Sequence, residues 1–470
     1  MSTRLVPALR DVARRLVANE EVPGASVAIL QDDLLVSAHA GTRGATGSLE
    51  ADDQTLYRVA SISKTFTAWG VLALRDSGRI SLDDPVVDHL PEFTAVSNPF
   101  GPIARITIRS LLQHSSGLQS EPPGDVPEPW RPRPIEEVLS LLARTAVVVP
   151  PGSAFKYSNV GYDLLGELIR RVSGTPYATY AQLEVLRPLG MGRTALDPPP
   201  GPDRAIGFDP TDPLAPHGPR RPAIDHGSSA SQASGGWWSC IEDLAMWLRA
   251  QLGPNPARSP VSDASLDEMH TPAQSTDAHG GAYGLGWRVA QRAGRSVVGH
   301  GGITHGFEAT IGFDREARTA AIVLVNGIPS PGSMLELRDR LLDLASSPPT
   351  LDLAGIRSPS TPPGPPTVRA TGSSWLVGTF REAGFRDEVT IAPGPVLVEE
   401  GGARRVLVAT DDPMRFLVCG GRCVGESLRL LRDASGELTA IELGGYYFNR
   451  LREPDHLAPG SPRPRREDTP

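Results

Sequence analysis

Strand-forming segments stand at both ends of the first 350 residues, and a mainly helical middle separates them. GASVAILQ and LLVSAHA follow an amphipathic N-terminal segment, whereas YGLGWRVA, RSVVGHG, FEATIGF and TAAIVLVNG precede a closing helix at about 333–346. A sheet assembled from both ends of a domain, with helices inserted between them, is an α+β arrangement. The pattern therefore predicts an α+β domain built on an antiparallel sheet.

A proline-rich segment, residues 351–374, separates this part from a second group of strands. It contains five prolines and almost no apolar periodicity, which is typical of a linker. Eight alternating segments follow: WLVGTFRE, DEVTIA, PVLVEE, RRVLVAT, RFLVCG, SLRLLRD, LTAIELG and YYFNRL. Their spacing predicts a small antiparallel barrel. We therefore expect one domain over 1–350, the linker, a barrel domain over 375–455 and a disordered tail over 456–470.

The composition of the chain predicts where the protein is located and which classes of partner it does not bind. The amphipathic start has no uninterrupted apolar stretch, unlike a signal peptide, so we expect a cytoplasmic protein. A net charge of −8 without a Lys/Arg cluster argues against nucleic acid or an anionic membrane as partner. Cys419 and Cys423, in CGGRC, lack a nearby second Cys/His pair, which favours ordinary strand cysteines over a metal site. We expect no metal and no cofactor.

Lysine is rare in this chain. Lys and Arg together number 46, and only Lys64 and Lys156 are lysines. Arg stays charged at any working pH, whereas Lys can lose its proton when it is buried or lies near other cations. A lysine kept against this bias indicates a site that needs a titratable amine, and drift in an arginine-rich sequence is the alternative.

Lys64 belongs to the motif SISK, directly before the apolar-periodic run TFTAWGVLALRDSG that Gly78 closes. Ser61 would lie at the helix N-terminus, with Lys64 one turn later on the same face. The amine can accept the hydroxyl proton, and the positive end of the helix favours a developing oxyanion. Alone, S-x-x-K is a weak signal, because serine is common.

A second motif, YSN, follows Lys156. Tyr157 and Asn159 point to the same side of an extended turn, and a phenol beside an ammonium group can work as a base. Asn159 offers a donor and an acceptor to a substrate amide. The alternative is a helix-capping Ser-Asn before VGYDLLGELIRRV, and we expect Lys156 to point away from the site.

The third motif is VVGHGGITHGF, a strand that runs into two glycines. Gly301 and Gly302 would let the strand edge approach a substrate closely. Backbone N–H groups there could complete an oxyanion hole with that of Ser61. His300 by itself would more often be a packed histidine than a catalyst. Neither a G-x-S-x-G elbow nor an H-E-x-x-H zinc motif occurs in the sequence.

The order S-x-x-K, Y-x-N, His-Gly-Gly is more specific than any one of these motifs. With ITIRSLLQHSSGL, ASGGWWSCIEDLAMWL and YGLGWRV, it makes residues 1–350 resemble the serine β-lactamase and penicillin-binding-protein superfamily, especially its class C β-lactamases, esterases and D-stereospecific peptidases. The resemblance implies a catalytic set: Ser61 as acylated nucleophile, Lys64 and Tyr157 as proton shuttle, Asn159 as substrate-amide anchor, and the N–H groups of Ser61 and Ile303 as oxyanion hole. His300 replaces the Lys of K-T-G, which helps to bind a β-lactam carboxylate, and this weakens the case for a β-lactamase.

The whole chain resembles the penicillin-binding-protein-type thioesterases, the stand-alone cyclases of nonribosomal peptide assembly lines, with a lipocalin-like barrel at the C-terminus. The resemblance implies a peptidyl thioester substrate on a phosphopantetheinylated peptidyl carrier protein. The serine would take the peptide, whose own N-terminal amine would release it as a head-to-tail macrolactam, with a preferred D-residue at the acylating end. Trp237, Trp238 and Arg450 would contact substrate; the alternatives are core packing for the tryptophans and a barrel-rim charge for the arginine.

Two other functions stay open. The same acyl-serine could be hydrolysed by water, as in a serine esterase or D-stereospecific peptidase. A non-catalytic binder or sensor on the same fold is the third possibility, and the complete Ser/Lys/Tyr/Asn set argues against it.

Overall fold

The chain is described from a computed structural model. Its described residues are 2–19, 22–44, 49–120, 133–198, 200–210, 220–225, 227, 232–254, 259–276, 281–292, 294–329 and 333–346, with eight C-terminal strands between 378 and 450.

Thirteen strands lie in the described part before residue 350. They are β1 (Gly24–Gln31), β2 (Leu34–Gly41), β3 (Tyr57–Arg58), β4 (Ala195–Leu196), β5 (Phe208–Pro210), β6 (Arg220–Pro222), β7 (Trp237–Ser239), β8 (Gln274–Ser275), β9 (Ala282–Tyr283), β10 (Arg288–Arg292), β11 (Arg295–Thr304), β12 (Phe307–Asp314) and β13 (Thr319–Val325). Eight form one antiparallel sheet in the order β2-β1-β13-β12-β11-β10-β9-β8. N-terminal β1 pairs with β13 from Ala25 opposite Val325 to Gln31 opposite Thr319, so the predicted α+β sheet is confirmed.

The α-helices lie at both ends of this part of the chain and in its middle. They are α1 (Ser2–Asn19), α2 (Ser63–Asp76), α3 (Val86–His89), α4 (Ile108–Leu112), α5 (Ile135–Ser140), α6 (Asn159–Ser173), α7 (Tyr177–Tyr180), α8 (Gln232–Gly235), α9 (Ile241–Leu252), α10 (Asp263–Met269) and α11 (Ser333–Ser346). Shorter turns of 3₁₀ type cover Ala60–Ile62, Pro91–Ala95, Ile103–Arg105, Leu142–Arg144 and Arg187–Leu189, and Ala181–Leu186 is a π turn.

The sheet separates two apolar cores. Leu9 of α1 and Leu341 of α11 pack with Val27 and Val323 against one face. The inserted helices pack against the other face, where Phe66 of α2 belongs to a large buried cluster. Alternation along β1 and β13 sends successive side chains to opposite cores, which explains why both strands are apolar throughout. The site described below lies where the inserted helices meet β11.

One predicted strand is wrong as a single element. YGLGWRVA is divided into β9 and β10, because Gly284 N–H donates to the carbonyl of Trp287 (2.8 Å) and closes a turn. Gly286 in this turn has φ +84°, a left-handed conformation that disfavours other residues.

The C-terminal strands lie in the eight segments that the sequence indicates. They are β14 (Gly378–Glu382), β15 (Glu388–Ala392), β16 (Val396–Glu399), β17 (Arg404–Ala409), β18 (Arg415–Cys419), β19 (Ser427–Arg432), β20 (Leu438–Leu443) and β21 (Tyr446–Arg450). Each pairs with the next, and β14 pairs with β21, which closes the ring. The domain boundaries and the likeness to lipocalins stay predictions, and the linker and the tail lie outside the described residues.

Within the described residues, no helix combines the length and the apolar character that a membrane crossing requires.

Candidate active site

Ser61 lies in the 3₁₀ turn Ala60–Ile62, which continues directly into α2. It is partly exposed, whereas Ile62 and Ser63 beside it are buried. Ala60 has φ +44°, a strained conformation for a residue with a Cβ. The chain thus turns sharply before the helix and presents the Ser61 hydroxyl at its N-terminal end.

Lys64 lies at the centre of the site and is fully buried. Its Nζ lies 3.2 Å from Ser61 Oγ, 2.7 Å from Asn159 Oδ1 and 2.6 Å from the carbonyl oxygen of Ser234. The same Nζ lies 4.9 Å from the ring centroid of Tyr157. The structure therefore brings together Ser61, Lys64, Tyr157 and Asn159, which the sequence predicts to be one site.

The partners of Lys64 differ in what they can donate. The carbonyl of Ser234 and Oδ1 of Asn159 can only accept hydrogen bonds, whereas Oγ of Ser61 can also donate one. A neutral amine would therefore direct its two hydrogens to Ser234 and Asn159 and its lone pair to Ser61. This arrangement suits removal of the hydroxyl proton by Lys64.

The segment that carries Tyr157 and Asn159 leads into α6. Ser158 Oγ accepts a hydrogen bond from Gly161 N–H (3.0 Å), so the capping role considered for this Ser-Asn pair is present, and Asn159 is the first helical residue. Lys156 is fully buried, and its amine donates to the Ser120 hydroxyl rather than to the Ser61 group.

Strand β11 approaches the nucleophile turn at Gly302. A Cβ placed there would lie 2.2 Å from Val59 O and 2.8 Å from Ser61 N, so this position accepts only glycine without a shift of the chain. Ile303 follows, and its side chain is exposed. The chain segments that carry Ser61 and Ile303 are thus in close contact, and the oxyanion hole formed by their N–H groups stays a prediction. At Gly301 an added Cβ would meet nothing nearer than 3.7 Å.

His300 is buried and uses both ring nitrogens. Nδ1 lies 2.6 Å from Gly301 O, and Nε2 lies 3.0 Å from the Tyr283 hydroxyl. Burial, helped by the nearby charges of Arg288 and Lys64, lowers the pKa of His300 to about 3. The neutral ring therefore donates from Nδ1 to the carbonyl and accepts from Tyr283, and it supplies no positive charge where K-T-G proteins have lysine.

Trp237 and Trp238 are both buried, which favours the packing role considered for them. Trp237 holds the nucleophile turn through its backbone: its N–H donates to Ser63 Oγ (3.2 Å), and its carbonyl accepts from Val59 N–H (3.0 Å). Its indole N–H donates to the Tyr177 hydroxyl (3.2 Å).

Trp238 points to the other face of β7. The guanidinium carbons of Arg58 and Arg204 lie 4.7 and 4.3 Å from its ring centroid, and Phe307 meets the ring edge-on. Arg450 ends β21 opposite Phe380, and its side chain lies outside the described residues.

Three groups at the site were not predicted from the sequence. Ser234 acts through its backbone carbonyl, which no residue type signals. Tyr283 partners His300, and His114 packs 4.3 Å from the Tyr157 ring between centroids. The lone histidine in LLQHSSGL and the tyrosine in YGLG were the available signals, and neither motif states a role.

Among the described residues, no group of three or more His, Cys, Asp or Glu side chains could hold a metal ion.

Several solved structures have this fold. The structure of SurE superposes with a TM-score of 0.67 at 22% identity and covers 95% of this chain and 98% of its own. A D-stereospecific amidohydrolase from Streptomyces sp. gives a TM-score of 0.58 at 27% identity, over 68% of this chain and 94% of its own. A class C beta-lactamase gives 0.63 at 20% identity, over 74% and 98%.

Relatives by sequence are similar over part of the chain. Protein flp of Staphylococcus aureus (strain N315) is 28% identical over 310 residues, which are 65% of this chain and 60% of that protein. The D-alanyl-D-alanine-carboxypeptidase/endopeptidase AmpH of Escherichia coli (strain K12) is 28% identical over 289 residues, or 58% of this chain and 72% of AmpH.

The profile of the beta-lactamase family matches residues 9–346, which include every motif from SISK to His-Gly-Gly. With the antiparallel sheet and the site beside β11, the match shows that this chain belongs to the beta-lactamase family.

Proposed function

We propose that the protein takes a nonribosomal peptidyl thioester onto Ser61 and releases it as a head-to-tail macrolactam. The observation that carries the acylation step is the position of Lys64 Nζ, 3.2 Å from Ser61 Oγ and held by two obligate acceptors, Asn159 Oδ1 (2.7 Å) and Ser234 O (2.6 Å). The thioester would be carried by the phosphopantetheine arm of a peptidyl carrier protein.

In this mechanism the Ser61 oxygen attacks the thioester carbonyl while its proton passes to Lys64. The oxyanion receives hydrogen bonds from the N–H groups of Ser61 and Ile303. The C–S bond then breaks, and Lys64, with Tyr157 as shuttle, returns the proton to the leaving thiolate. In the second half the peptide's amine attacks the ester, gives up a proton to the same bases and expels the Ser61 oxygen, which is reprotonated.

The environment of His300 supports a leaving group without a carboxylate. Its ring is neutral and fully engaged by Tyr283 and Gly301, so it offers no charge to a β-lactam or D-alanine carboxylate. A pantetheine thiolate has no carboxylate next to its sulfur and would lose nothing from this replacement.

The structural likeness extends beyond the part of the chain that carries the candidate active site. The similarity to SurE covers 95% of this chain and so extends into the C-terminal strands, where we place a lipocalin-like barrel. A second domain could help to exclude water, which at roughly 55 M competes for the acyl-serine unless the bound amine has a higher effective molarity. One SurE structure contains D-Leu, which agrees with a D-residue at the acylating end.

The test is a synthetic N-acetylcysteamine thioester of a linear peptide with a D-residue at the acylating end and a free N-terminus. We expect mainly a product whose mass is that of the linear acid less one water. Acetylation of the N-terminus should give linear acid or a stalled acyl-enzyme, and an L-residue at the acylating end should react more slowly.

Ser61→Ala is the matched control, since it removes only the nucleophile's oxygen. It should show neither product nor acyl-enzyme by intact-protein mass spectrometry. A persistent adduct in this variant would refute the nucleophile, and linear acid as the sole product from several peptides would refute cyclisation.

A hydrolase is the second candidate, and one comparison favours it. The D-stereospecific amidohydrolase is 27% identical over 68% of this chain. In this alternative, water attacks the same acyl-serine, and fast cleavage of D-peptides or simple esters without cyclic product would support it.

A further inference from the structure

His114 lies in an aromatic cluster behind Tyr157. Its ring centroid lies 4.3 Å from that of Tyr157, 4.8 Å from Tyr283, 5.0 Å from Tyr162 and 5.6 Å from Phe155. His114 is fully buried, and its φ of +55° turns the chain two residues after α4 ends. Left-handed conformations are uncommon for residues with a Cβ, so the sharp turn that brings this ring into the cluster has a cost.

Two hydrogen bonds accepted by His114 flank Tyr157. The carbonyl of His114 accepts from Lys156 N–H (2.7 Å), and its Nδ1 accepts from Ser158 N–H (3.1 Å). Tyr157 is thus fixed on both sides by one residue, and Asn159 follows as the first residue of α6. Tyr157 and Asn159, the two side chains beside Lys64, thus lie on a segment that His114 holds together with Ser120, whose Oγ donates to Tyr157 O (2.9 Å) and whose carbonyl accepts from Asn159 N–H (2.8 Å).

The chemistry of the bond fixes the state of the ring. An Nδ1 that accepts from an amide carries no hydrogen, so a neutral His114 has its hydrogen on Nε2. Burial, with smaller effects from Lys64 and His300, holds the pKa of His114 well below its usual range, which agrees with a neutral ring.

A phenylalanine would fill this space at a lower cost. Within the described residues Nε2 of His114 has no hydrogen-bond partner, and burying an unpaired polar group is unfavourable. What histidine adds over phenylalanine is the acceptor for Ser158 N–H. The choice of histidine therefore indicates that the hydrogen bond from Ser158 N–H to Nδ1 has a role in holding the segment that carries Tyr157 and Asn159.

We infer that His114 is a positioning residue for acylation, which places Tyr157 and Asn159 against Lys64 through its carbonyl and Nδ1. The inference rests on the acyl-serine chemistry proposed above. It assigns His114 no contact with substrate and no proton transfer.

The test compares variants of the full chain. His114→Phe keeps an aromatic ring and removes the acceptor, whereas His114→Asn removes the ring and keeps an acceptor, Oδ1, on the same side-chain carbon. Asparagine also tolerates a positive φ. His270→Phe is the matched control, because His270 is another buried histidine among aromatic rings, with Gln251, Trp287 and Phe313 as neighbours.

The readouts are kcat and KM for a small ester, the acylation rate constant of Ser61 by mass spectrometry, and the thermal midpoint. We expect His114→Phe to lower acylation and kcat by about 10- to 100-fold, as small misplacements of reacting groups do, with KM changed less than about 3-fold. His114→Asn should recover much of this loss. His270→Phe should lower the thermal midpoint comparably and leave acylation within about 2-fold.

Acylation at the wild-type rate in His114→Phe, or a loss no greater than in His270→Phe, would overturn the inference. So would a His114→Asn variant as slow as His114→Phe. If His114→Phe does not fold, His114→Ala also removes the acceptor and carries the same expectation. Failure of the proposed function itself would show separately, as an adduct that persists in Ser61→Ala.

Discussion

Lys64 owes its role to the acceptors around it as much as to its own amine. Nζ is surrounded by three oxygens between 2.6 and 3.2 Å, and only that of Ser61 can give it a proton. A guanidinium group could keep the charge but could not accept the proton. Under the proposed mechanism, this difference would account for lysine at position 64 in a chain with only one other lysine.

Lys64→Arg tests this role. We expect turnover of any acylating substrate to fall by about 10²–10⁴, because the general base is lost while the positive charge remains. The thermal midpoint, measured alongside, separates this effect from misfolding of the fully buried site. A folded variant with near-normal turnover would leave Lys64 only an electrostatic role.

At the scale of elements, the site depends on the contact between β11 and the turn before α2. Gly302 permits this contact, since any larger residue would collide with the backbone of Val59 and Ser61. Trp237 of β7 holds the same turn from the opposite direction through its N–H and carbonyl. The nucleophile is thus fixed between two strands that lie far from it in sequence.

Gly302→Ala should lower the acylation rate constant by about 10²–10³, as loss of an oxyanion donor does, because the strand must move away from Ser61 N. Gly301→Ala should lose far less, since its Cβ meets nothing nearer than 3.7 Å. Gly192→Ala, with no atom within 4 Å of the new Cβ, controls for the substitution itself. Equal rates in the Gly302 and Gly192 variants would contradict the close approach.

At the scale of the whole molecule, three buried histidines make stability depend on pH. Burial is the largest cause that lowers the pKa of His270 and His300 to about 3 and that of His114 well below its usual value. In the unfolded chain they titrate near 6.5. The unfolded state therefore binds more protons, and the stability present above about pH 6.5 is lost as the pH falls toward the folded values.

Each of these histidines should remove up to about 1.4 kcal/mol from the free energy of unfolding per pH unit in this window. Urea unfolding between about pH 6.5 and pH 5.5 measures the slope, at least about one unit above the ordinary pKa values of Asp and Glu. His270→Phe should lower the slope of the free energy of unfolding against pH by the contribution of one titrating histidine, whatever the substitution does to stability at pH 7. An unchanged slope in that variant would mean that His270 is not held neutral.

The C-terminal ring supplies another prediction at this scale. If Arg450 contacts long substrates, Arg450→Ala should lower kcat/KM for peptidyl thioesters more than for a small ester. Arg432→Ala, another arginine at the end of a ring strand, is the matched control. Equal effects of Arg450→Ala on both substrates, or none, would support the rim-charge alternative.

Local patterns in the sequence determined most of the catalytic part of the fold. Apolar strand-forming runs predicted β1, β2 and β11 to β13, and helical spacing of apolar residues predicted α1 and α2, because burial imposes a pattern that is visible in the residues. The S-x-x-K and Y-x-N motifs indicated four residues that meet around one amine, because this chemistry needs particular side chains at short spacing. The prediction of a single strand over YGLGWRVA was wrong because its glycines form a turn between two strands.

Only the tertiary structure decided which groups complete the site. The Ser234 carbonyl that orients Lys64 is a backbone atom 170 positions away, and backbone atoms leave no residue-type signal. Trp237 and Trp238 suggested substrate contacts, yet both rings are buried, since a strand sends neighbouring side chains to opposite faces and both faces are covered here. His114 and His300 are neutral because of what surrounds them, and that environment exists only once distant segments have packed together.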